Sequence, residues 1–197
     1  MVLMKKKYYF FFHIETTGLP KKFEASVQDL ENWPRLVQIA WILSDSKKKI
    51  ISKKNYIIKP SGFSIPFDAT KIHGITNSYA IVNGYPLNII LNDFIIEMQK
   101  SNYLVAHNMS LYEKIIGAEL IRASYNIHLL DKRFKICTMK ESINFCKIKG
   151  TIGYKWPKLP ELYYKIFQST IIESHNAEVD LETIFKCFWA LRNRGKL

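Results

Sequence analysis

Cysteine is scarce in this chain, and its spacing excludes two classes of small stabilised domain. Three cysteines occur among 197 residues, at Cys137, Cys146 and Cys187. An odd number without a Cys-x-x-Cys pair indicates neither a disulfide framework nor a zinc knuckle. We therefore expect reduced, structural thiols and a cytoplasmic location.

Long hydrophobic runs are also missing. No segment contains enough uninterrupted apolar residues to span a bilayer. Residues Met1–Phe12 are basic and then apolar, as in a signal peptide, but the apolar part is short and lacks a small-residue cleavage site. The sequence therefore predicts a soluble protein with no membrane partner.

Acidic residues are in the minority. The chain has 17 Asp and Glu against 29 Lys and Arg, which gives a formal net charge of +12. An excess of this size favours a polyanionic partner, with nucleic acid ahead of a membrane surface. A second interpretation stays open: the lysines confer solubility only, or reflect an AT-rich genome, since Ile, Asn and Tyr are also abundant.

The order of apolar patterns predicts one domain over residues 1–197, with a mixed α/β sheet flanked by helices. Apolar runs bounded by polar turns predict strands at Tyr8–Ile14, Leu36–Leu43, Ile50–Ile58, Tyr103–Ala106 and Phe134–Cys137. Helical spacing predicts helices at Asp68–His73, Pro86–Lys100, Ser110–Tyr125, Leu159–Phe167 and Ala177–Arg192. We expect the first three strands to form an antiparallel meander.

Three polar segments lie near the junctions between predicted strands and helices. They are His13-Ile14-Glu15, His107–Tyr112 and His175–Asp180. Ligand sites in open α/β sheets form at such strand ends. The two-residue period of a strand also places His13 and Glu15 on one face and Ile14 on the other. The three segments therefore predict one shared site.

These segments resemble the motifs of the DEDDh 3′–5′ exonucleases, the superfamily of the proofreading epsilon subunit of bacterial DNA polymerase III and of RNase T. Phe12–Pro20 is similar to the first motif, Asp-x-Glu-Thr-Thr-Gly, and Val105–Tyr112 to the second, His-Asn-x-x-Phe-Asp. His175–Asp180 matches the third, His-x-Ala-x-x-Asp. Ala69–Thr76 and Lys155–Pro160 also resemble family segments. The resemblance implies a ribonuclease H-like fold.

The resemblance also implies which residues would carry the chemistry. In the family, four carboxylates bind two divalent metal ions, and a histidine acts as general base. Carried over by position, Glu15 and Asp180 are retained acids and His175 is the retained base. His13 and Tyr112 stand where the other two acids belong. The chain therefore resembles a nuclease that has lost half of its metal-binding carboxylates.

That loss has a direct electrostatic consequence. Two divalent cations carry a combined charge of about +4, and two carboxylates offset only about half of it. Mg²⁺ also prefers oxygen ligands to imidazole. Hydrolysis with two Mg²⁺ or Mn²⁺ ions is therefore expected to be weak or absent. As an alternative, His13, Glu15 and Asp180 bind a single Mn²⁺ or Zn²⁺. Glu113 or Glu178 would need a shift of register to replace a missing acid.

Six residues are expected to contact substrate: Thr16, Thr17, Gly18, His107, Asn108 and Trp156. The resemblance places the first three beside the terminal nucleotide, where Gly18 lets the backbone approach closely. For His107 we favour a bracing role in the second motif. Trp156 either stacks on a base or packs in the core.

Three functions follow from these observations. The first is a nucleic-acid-binding protein, specific for single strands or 3′ ends, whose hydrolytic site is degenerate. The second is an active 3′–5′ exonuclease on single-stranded DNA or RNA, with a rearranged metal site that includes His13. The third is a non-catalytic module that binds a polymerase or another protein.

Overall fold

The chain folds around one five-stranded sheet. The computed structural model describes residues 6–172 and 174–197; residues 1–5, part of the segment weighed as a signal peptide, lie outside them. The strands are β1 Tyr8–Thr16, β2 Leu36–Asp45, β3 Ile50–Ile57, β4 Tyr103–Ala106 and β5 Phe134–Cys137. The helices are α1 Phe67–His73, α2 Asn77–Asn83, α3 Leu87–Gln99, α4 Met109–Arg122, α5 Thr138–Glu141, α6 Ile143–Cys146, α7 Leu159–Phe167 and α8 Ala177–Asn193.

The sheet has the strand order β3-β2-β1-β4-β5. β1 pairs with β2 in antiparallel fashion, with Phe12 opposite Trp41, and β2 pairs with β3 in the same way. β4 is parallel to both β1 and β5. The predicted ribonuclease H-like arrangement, three antiparallel strands followed by parallel ones with flanking helices, is confirmed.

β1 is buried on both faces because it lies in the centre of the sheet. Phe10 and Phe12 pack into one core layer, which includes residues of α3 and α4. Tyr9 and Phe11 point the other way and pack against α8, where the ring centroids of Phe11 and Phe188 are 5.0 Å apart. Continuous apolar sequence is the pattern of a strand covered on both faces. This arrangement sandwiches the strand that carries His13 and Glu15.

Several element boundaries differ from the prediction. β1 continues two residues past Ile14 to Thr16, so Glu15 lies within the strand. α4 ends at Arg122 and not at Tyr125. Three short helices, α2, α5 and α6, were not predicted. For α5 and α6 the reason is that four residues are too few to establish a 3.6-residue period.

The fold bears on the cysteines and on membrane-spanning segments. The three cysteines are free and buried, as expected, and burial raises the pKa of Cys187 to about 12. No helix in the described part of the chain is long and apolar enough to cross a membrane.

Candidate active site

β1 positions His13 and Glu15 side by side at its carboxyl end. Residues two apart point to one face of a strand, and here that face is the one covered by α8. The pairing with β2 shifts between Glu15 and Thr16, where Glu15 lies opposite Gln38 and Thr16 opposite Leu36. The strand therefore becomes irregular immediately after Glu15, and the chain turns away from the sheet.

The first turn of α8 supplies Asp180. The side chain of Asn176 caps this helix by accepting a hydrogen bond from the amide of Glu178 at 3.0 Å. The next free amide, that of Ala177, donates to Oε1 of Gln38 on β2 at 3.1 Å. These bonds fix the amino end of α8 over the sheet. They also place Asp180, which is only 2% exposed, near the positive end of the helix dipole.

His13, Glu15 and Asp180 form a compact cluster of possible metal ligands. Nε2 of His13 lies 3.4 Å from Oε1 of Glu15 and 4.0 Å from Oδ2 of Asp180. One ligand atom from each residue lies within 4.8 Å of the other two. The structure therefore brings together the three residues that the sequence predicted as ligands of a single metal ion.

The carboxylate of Asp180 has one occupied and one open oxygen. Oδ1 accepts hydrogen bonds from the amide of Ser174 at 3.2 Å and from its hydroxyl at 3.0 Å. Oδ2 is buried and has no hydrogen-bond partner among the described residues. Leaving a buried carboxylate oxygen without a donor is costly, and a cation beside it would remove that cost. The donor set therefore fits a metal ion.

The two residues expected to stand in place of family acids, His13 and Tyr112, contact each other. The hydroxyl of Tyr112, on α4, lies 3.0 Å from Nδ1 of His13. If the hydroxyl donates this bond, Nε2 carries the proton and faces Glu15. If Nδ1 donates, the lone pair of Nε2 faces the carboxylates and is available to a metal. Tyr112 therefore influences the chemistry of the cluster through the tautomer of His13.

The two candidate replacement acids are engaged elsewhere. Glu113 pairs with Lys135 at 2.5 Å, and Glu178 pairs with Lys53 at 2.7 Å. Neither residue belongs to the cluster of His13 with Glu15 and Asp180. The local register therefore supplies no third carboxylate from either position.

Two further histidines lie around the cluster. His175 is half-buried in the left-handed conformation, with φ 49°, and lies outside the three-residue cluster. His73, at the end of α1, accepts a hydrogen bond at Nδ1 from the amide of Ile75. Its Nε2 is buried with no hydrogen-bond partner within residues 6–172 and 174–197. From the sequence, His73 was expected only to organise a turn or a pocket, although it lies in a segment that resembles the family.

Burial and two charged neighbours shift the pKa of His73. Burial lowers that pKa below its ordinary value, and the charge of His175 acts in the same direction. Glu15 acts in the opposite direction and raises it. His73 is therefore a neutral imidazole close to the carboxylate of Glu15.

The segment Thr16-Thr17-Gly18 forms a turn beside the cluster. The hydroxyl of Thr16 donates to the carbonyl of Gly18 at 2.7 Å, and that of Thr17 accepts from the amide of Arg35 at 2.9 Å. Gly18 has φ 148° and nothing within 4 Å of the place where a Cβ would be. Its backbone is exposed, so a ligand can approach it closely.

His107 braces the second motif. Its Nε2 lies 3.0 Å from the carbonyl of Pro157, which can only accept, and its Nδ1 lies 3.0 Å from the hydroxyl of Thr138. Burial lowers the pKa of His107 to about 4. Both ring nitrogens are thus used within the protein. The next residue, Asn108, has φ 82° and immediately precedes α4, without a capping bond from its side chain.

Trp156 lies on an exposed groove and not in the core. The side chain is 58% exposed, so the core-packing alternative was wrong. The ammonium of Lys140 lies 5.8 Å from its ring centroid. A cavity of about 410 Å³ runs from Trp156 past Asn108 to Phe23, which is 52% exposed. The sequence did not single out Phe23, because an aromatic residue in a loop carries no periodic signal.

Comparison with known proteins identifies the family. A family model for exonucleases, RNase_T, matches residues 10–188. The chain belongs to the exonuclease family. Exonucleases of this family normally use divalent metals, and the cluster around His13 lies within the matched residues. No curated protein matches the chain.

Solved structures of Escherichia coli exonuclease I share the fold. Its complex with a dA16 oligonucleotide matches with a TM-score of 0.71 and 15% identity, covering 95% of this chain and 41% of the other. A zinc-bound complex of that enzyme with single-stranded DNA gives 0.72 and 17%, covering 96% and 41%. Its SSB-Ct complex gives 0.72 and 15%, covering 96% and 42%. This exonuclease-family chain thus spans about two fifths of the length of those proteins.

Proposed function

We propose that the protein binds single-stranded nucleic acid or 3′ ends, and that its two-metal hydrolysis of phosphodiesters is weak or absent. The contact between Tyr112 and His13, 3.0 Å across, carries this proposal. The two positions hold an imidazole and a phenol, and these two side chains bond to each other. The contact between Tyr112 and His13 therefore fills the place where a second metal ion would need carboxylate ligands.

The charge balance supports the same conclusion. Glu15 and Asp180 are the acids of the cluster, and one oxygen of Asp180 is already bonded to Ser174. A pair of divalent cations a few ångströms apart requires more negative charge than two carboxylates provide. Binding of one metal ion, or of none, is compatible with this set.

Three features support binding to nucleic acid. The net charge is +12. The groove at Trp156 combines an exposed indole with the ammonium of Lys140, which suits stacking on a base beside a phosphate. The turn at Thr16-Thr17-Gly18 offers an open backbone beside the cluster.

Two measurements test this proposal. We expect an oligonucleotide to bind in EDTA with an affinity that falls steeply as salt rises. We expect no shortening of end-labelled single-stranded DNA or RNA with Mg²⁺ above the level given by a Glu15→Ala, Asp180→Ala double variant. Mg²⁺-dependent shortening that disappears in the double variant would contradict the degenerate site. Absence of any strand binding would instead favour a module that binds a polymerase or another protein.

The open oxygen of Asp180 favours a second candidate, an exonuclease with a single metal ion. His13 Nε2, Glu15 and Asp180 Oδ2 would hold Mn²⁺ or Zn²⁺, both of which accept imidazole more readily than Mg²⁺ does. The bound ion would act as a Lewis acid on a phosphoryl oxygen. His175 would accept the proton of the attacking water. Shortening with Mn²⁺ but not with Mg²⁺, abolished by His13→Ala, is the result expected of this candidate.

A further inference from the structure

A second cavity, lined by several cationic side chains, lies outside the cluster of His13, Glu15 and Asp180. Its volume is about 460 Å³, and its lining includes Arg35, Lys59, Phe63, Asn88 and Arg122. Three of these side chains are cationic. No residue that lines the cavity is acidic. The cavity therefore has the charge of a site for an anion.

A single buried carboxylate offsets part of this charge. Oε1 of Glu119 accepts from Nε of Arg35 at 2.9 Å and lies 3.2 Å from Nη1 of Arg122. Glu119 itself is fully buried beneath the cavity wall. Lys59 is exposed and forms no ion pair in the part of the chain that the structure describes. Glu31 also acts on Arg122 electrostatically, so three cations stand against two carboxylates and the cavity stays net positive.

The guanidinium of Arg35 is held in a fixed orientation. It stacks on Phe63, with its central carbon 4.2 Å from the ring centroid, and its Nε is bonded to Glu119. No hydrogen bond is formed by its two terminal nitrogens within the described residues. A planar, pre-oriented fork of donors suits the oxygens of a phosphate.

The amino end of α3 adds to the positive potential. Leu87 and Asn88, its first two residues, line the cavity. The capping position is Pro86, which provides no side-chain acceptor, and the first turn contains no acid. The free amides of this turn therefore remain available to an anion brought in by the cationic side chains.

The cavity borders the turn beside the candidate active site. The amide of Thr17 donates to the carbonyl of Arg35 at 2.9 Å, and the amide of Arg35 donates to the hydroxyl of Thr17 at the same distance. Lys59 is held from the other side, where its amide donates to the carbonyl of Tyr85 at 2.9 Å. A strand that ends over Thr16-Thr17-Gly18 thus has this cavity next to it.

We propose that the cavity binds a phosphate of the nucleic-acid strand and anchors that strand at a second point, apart from the catalytic cluster. The contacts are Arg35, Lys59 and the first turn of α3. This inference rests on the proposed binding of nucleic acid. It adds a place on the protein where the sugar-phosphate backbone is held without readout of sequence.

The experiment measures binding of a short fluorescent oligothymidylate in EDTA over a range of salt. Two variants alter the cavity without touching Arg35 or the cluster. The first, Lys59→Gln, removes one cation from the cavity. Its control is Lys47→Gln, which removes the same charge in the exposed turn after β2. Asn88→Asp places an acid in the first turn of α3, which stabilises the helix while repelling a phosphate.

We expect Lys59→Gln and Asn88→Asp each to weaken oligothymidylate binding about tenfold. The slope of log affinity against log salt falls by about 0.7 for each phosphate that the protein no longer neutralises. We expect Lys47→Gln to bind oligothymidylate with the affinity of the wild type. We expect thymidine monophosphate to bind every variant with the affinity that it has for the wild type. Unchanged melting of Asn88→Asp shows that its weaker binding does not come from unfolding.

The outcomes distinguish failure of the phosphate anchor from failure of the proposed binding of nucleic acid. If the wild type binds no oligothymidylate, the proposed nucleic-acid function fails, and the anchor fails with it. If the wild type binds and both cavity variants match it, the anchor alone is overturned. Inorganic phosphate that shifts the amide signals of Lys59 and Asn88, with oligothymidylate affinity unaffected by the variants, identifies a site for an adventitious anion only and also overturns it.

Discussion

At the scale of single residues, two side chains of the candidate site act as a pair. His13 and Tyr112 are 99 positions apart in sequence but share a hydrogen bond. A carboxylate at one position would face a partner that this hydrogen bond now engages. The effects of the two reversions are therefore expected to be non-additive, as for residues that share one bonded network.

The reversion prediction follows directly. The double variant His13→Asp, Tyr112→Asp restores four acids, and we expect Mg²⁺-dependent shortening of an end-labelled strand to rise on the order of a hundredfold. Each single variant should gain much less, because three carboxylates still leave the second metal ion poorly held. Equal activity in one single variant and the double variant would refute the pairing.

His107 gives a prediction of pH dependence. Its pKa in the folded protein is about 4, against about 6.5 when unfolded. The unfolded chain therefore binds more protons between these values, so stability is present above pH 6.5 and is lost as pH falls towards 4. His73, whose pKa burial also lowers, contributes with the same sign.

The measurement is urea unfolding at several pH values. The expected loss attributable to His107 is up to about 3.5 kcal/mol, from 2.5 pH units at about 1.4 kcal/mol each. His107→Gln should flatten the dependence, at a cost in stability at neutral pH. His128→Gln, which alters an exposed histidine, serves as the control. A pH dependence that stays unchanged in His107→Gln would contradict the assignment.

At the scale of elements, the site depends on how α8 is attached to the sheet. The side-chain amide of Gln38 accepts from Ala177 and donates to Asn55 at 3.0 Å. It therefore joins β2, β3 and the beginning of α8. This link positions Asp180 from a strand that carries none of the three cluster residues.

Removing that link should affect both stability and metal binding. In Gln38→Leu the amide of Ala177 loses its acceptor, and we expect unfolding to be easier by about 1–3 kcal/mol. Because Asp180 then moves with a looser helix end, calorimetry with Mn²⁺ should also show weaker binding. Gln38→Glu keeps an acceptor for Ala177 and is the matched control. Identical Mn²⁺ affinity in Gln38→Leu would mean that α8 is held adequately by its apolar face.

At the scale of the whole molecule, the aromatic groove gives a prediction about affinity. Base stacking on an exposed aromatic residue contributes about 1–3 kcal/mol, so Trp156→Ala should weaken single-strand binding by roughly tenfold. Tyr79→Ala, on α2, removes another exposed ring and should have little effect. Binding assays in EDTA measure both. Equal affinities for the two variants would remove Trp156 from the substrate path.

Much of the architecture was predictable from the sequence, because the central strands carry strong apolar signals. The boundaries of β4, β5 and α7 were predicted to the residue. The four-residue helices α5 and α6 were missed because they are shorter than the pattern used to detect a helix, and the seven-residue α2 was missed as well. The residues of the cluster were likewise predictable, since motif spacing marks them.

What the sequence did not predict are contacts between distant segments. The bond from Tyr112 to His13, the place of His73 beside Glu15, and the cavity around Arg35 all arise from tertiary packing. The sequence also did not predict the exposure of Trp156. Core and surface positions were equally supported for this residue, and the fold shows that it is exposed.

The bond between Tyr112 and His13 has a consequence for how such a site changes over generations. In the genetic code, histidine and tyrosine codons each differ from aspartate codons by a single nucleotide. Two point mutations would therefore place an aspartate at both positions. Each intermediate, however, leaves an aspartate beside an unmatched partner and gains little activity. The hydrogen bond thus opposes the change: only two nucleotide substitutions are needed, but the first alone is expected to give selection little added activity to act on.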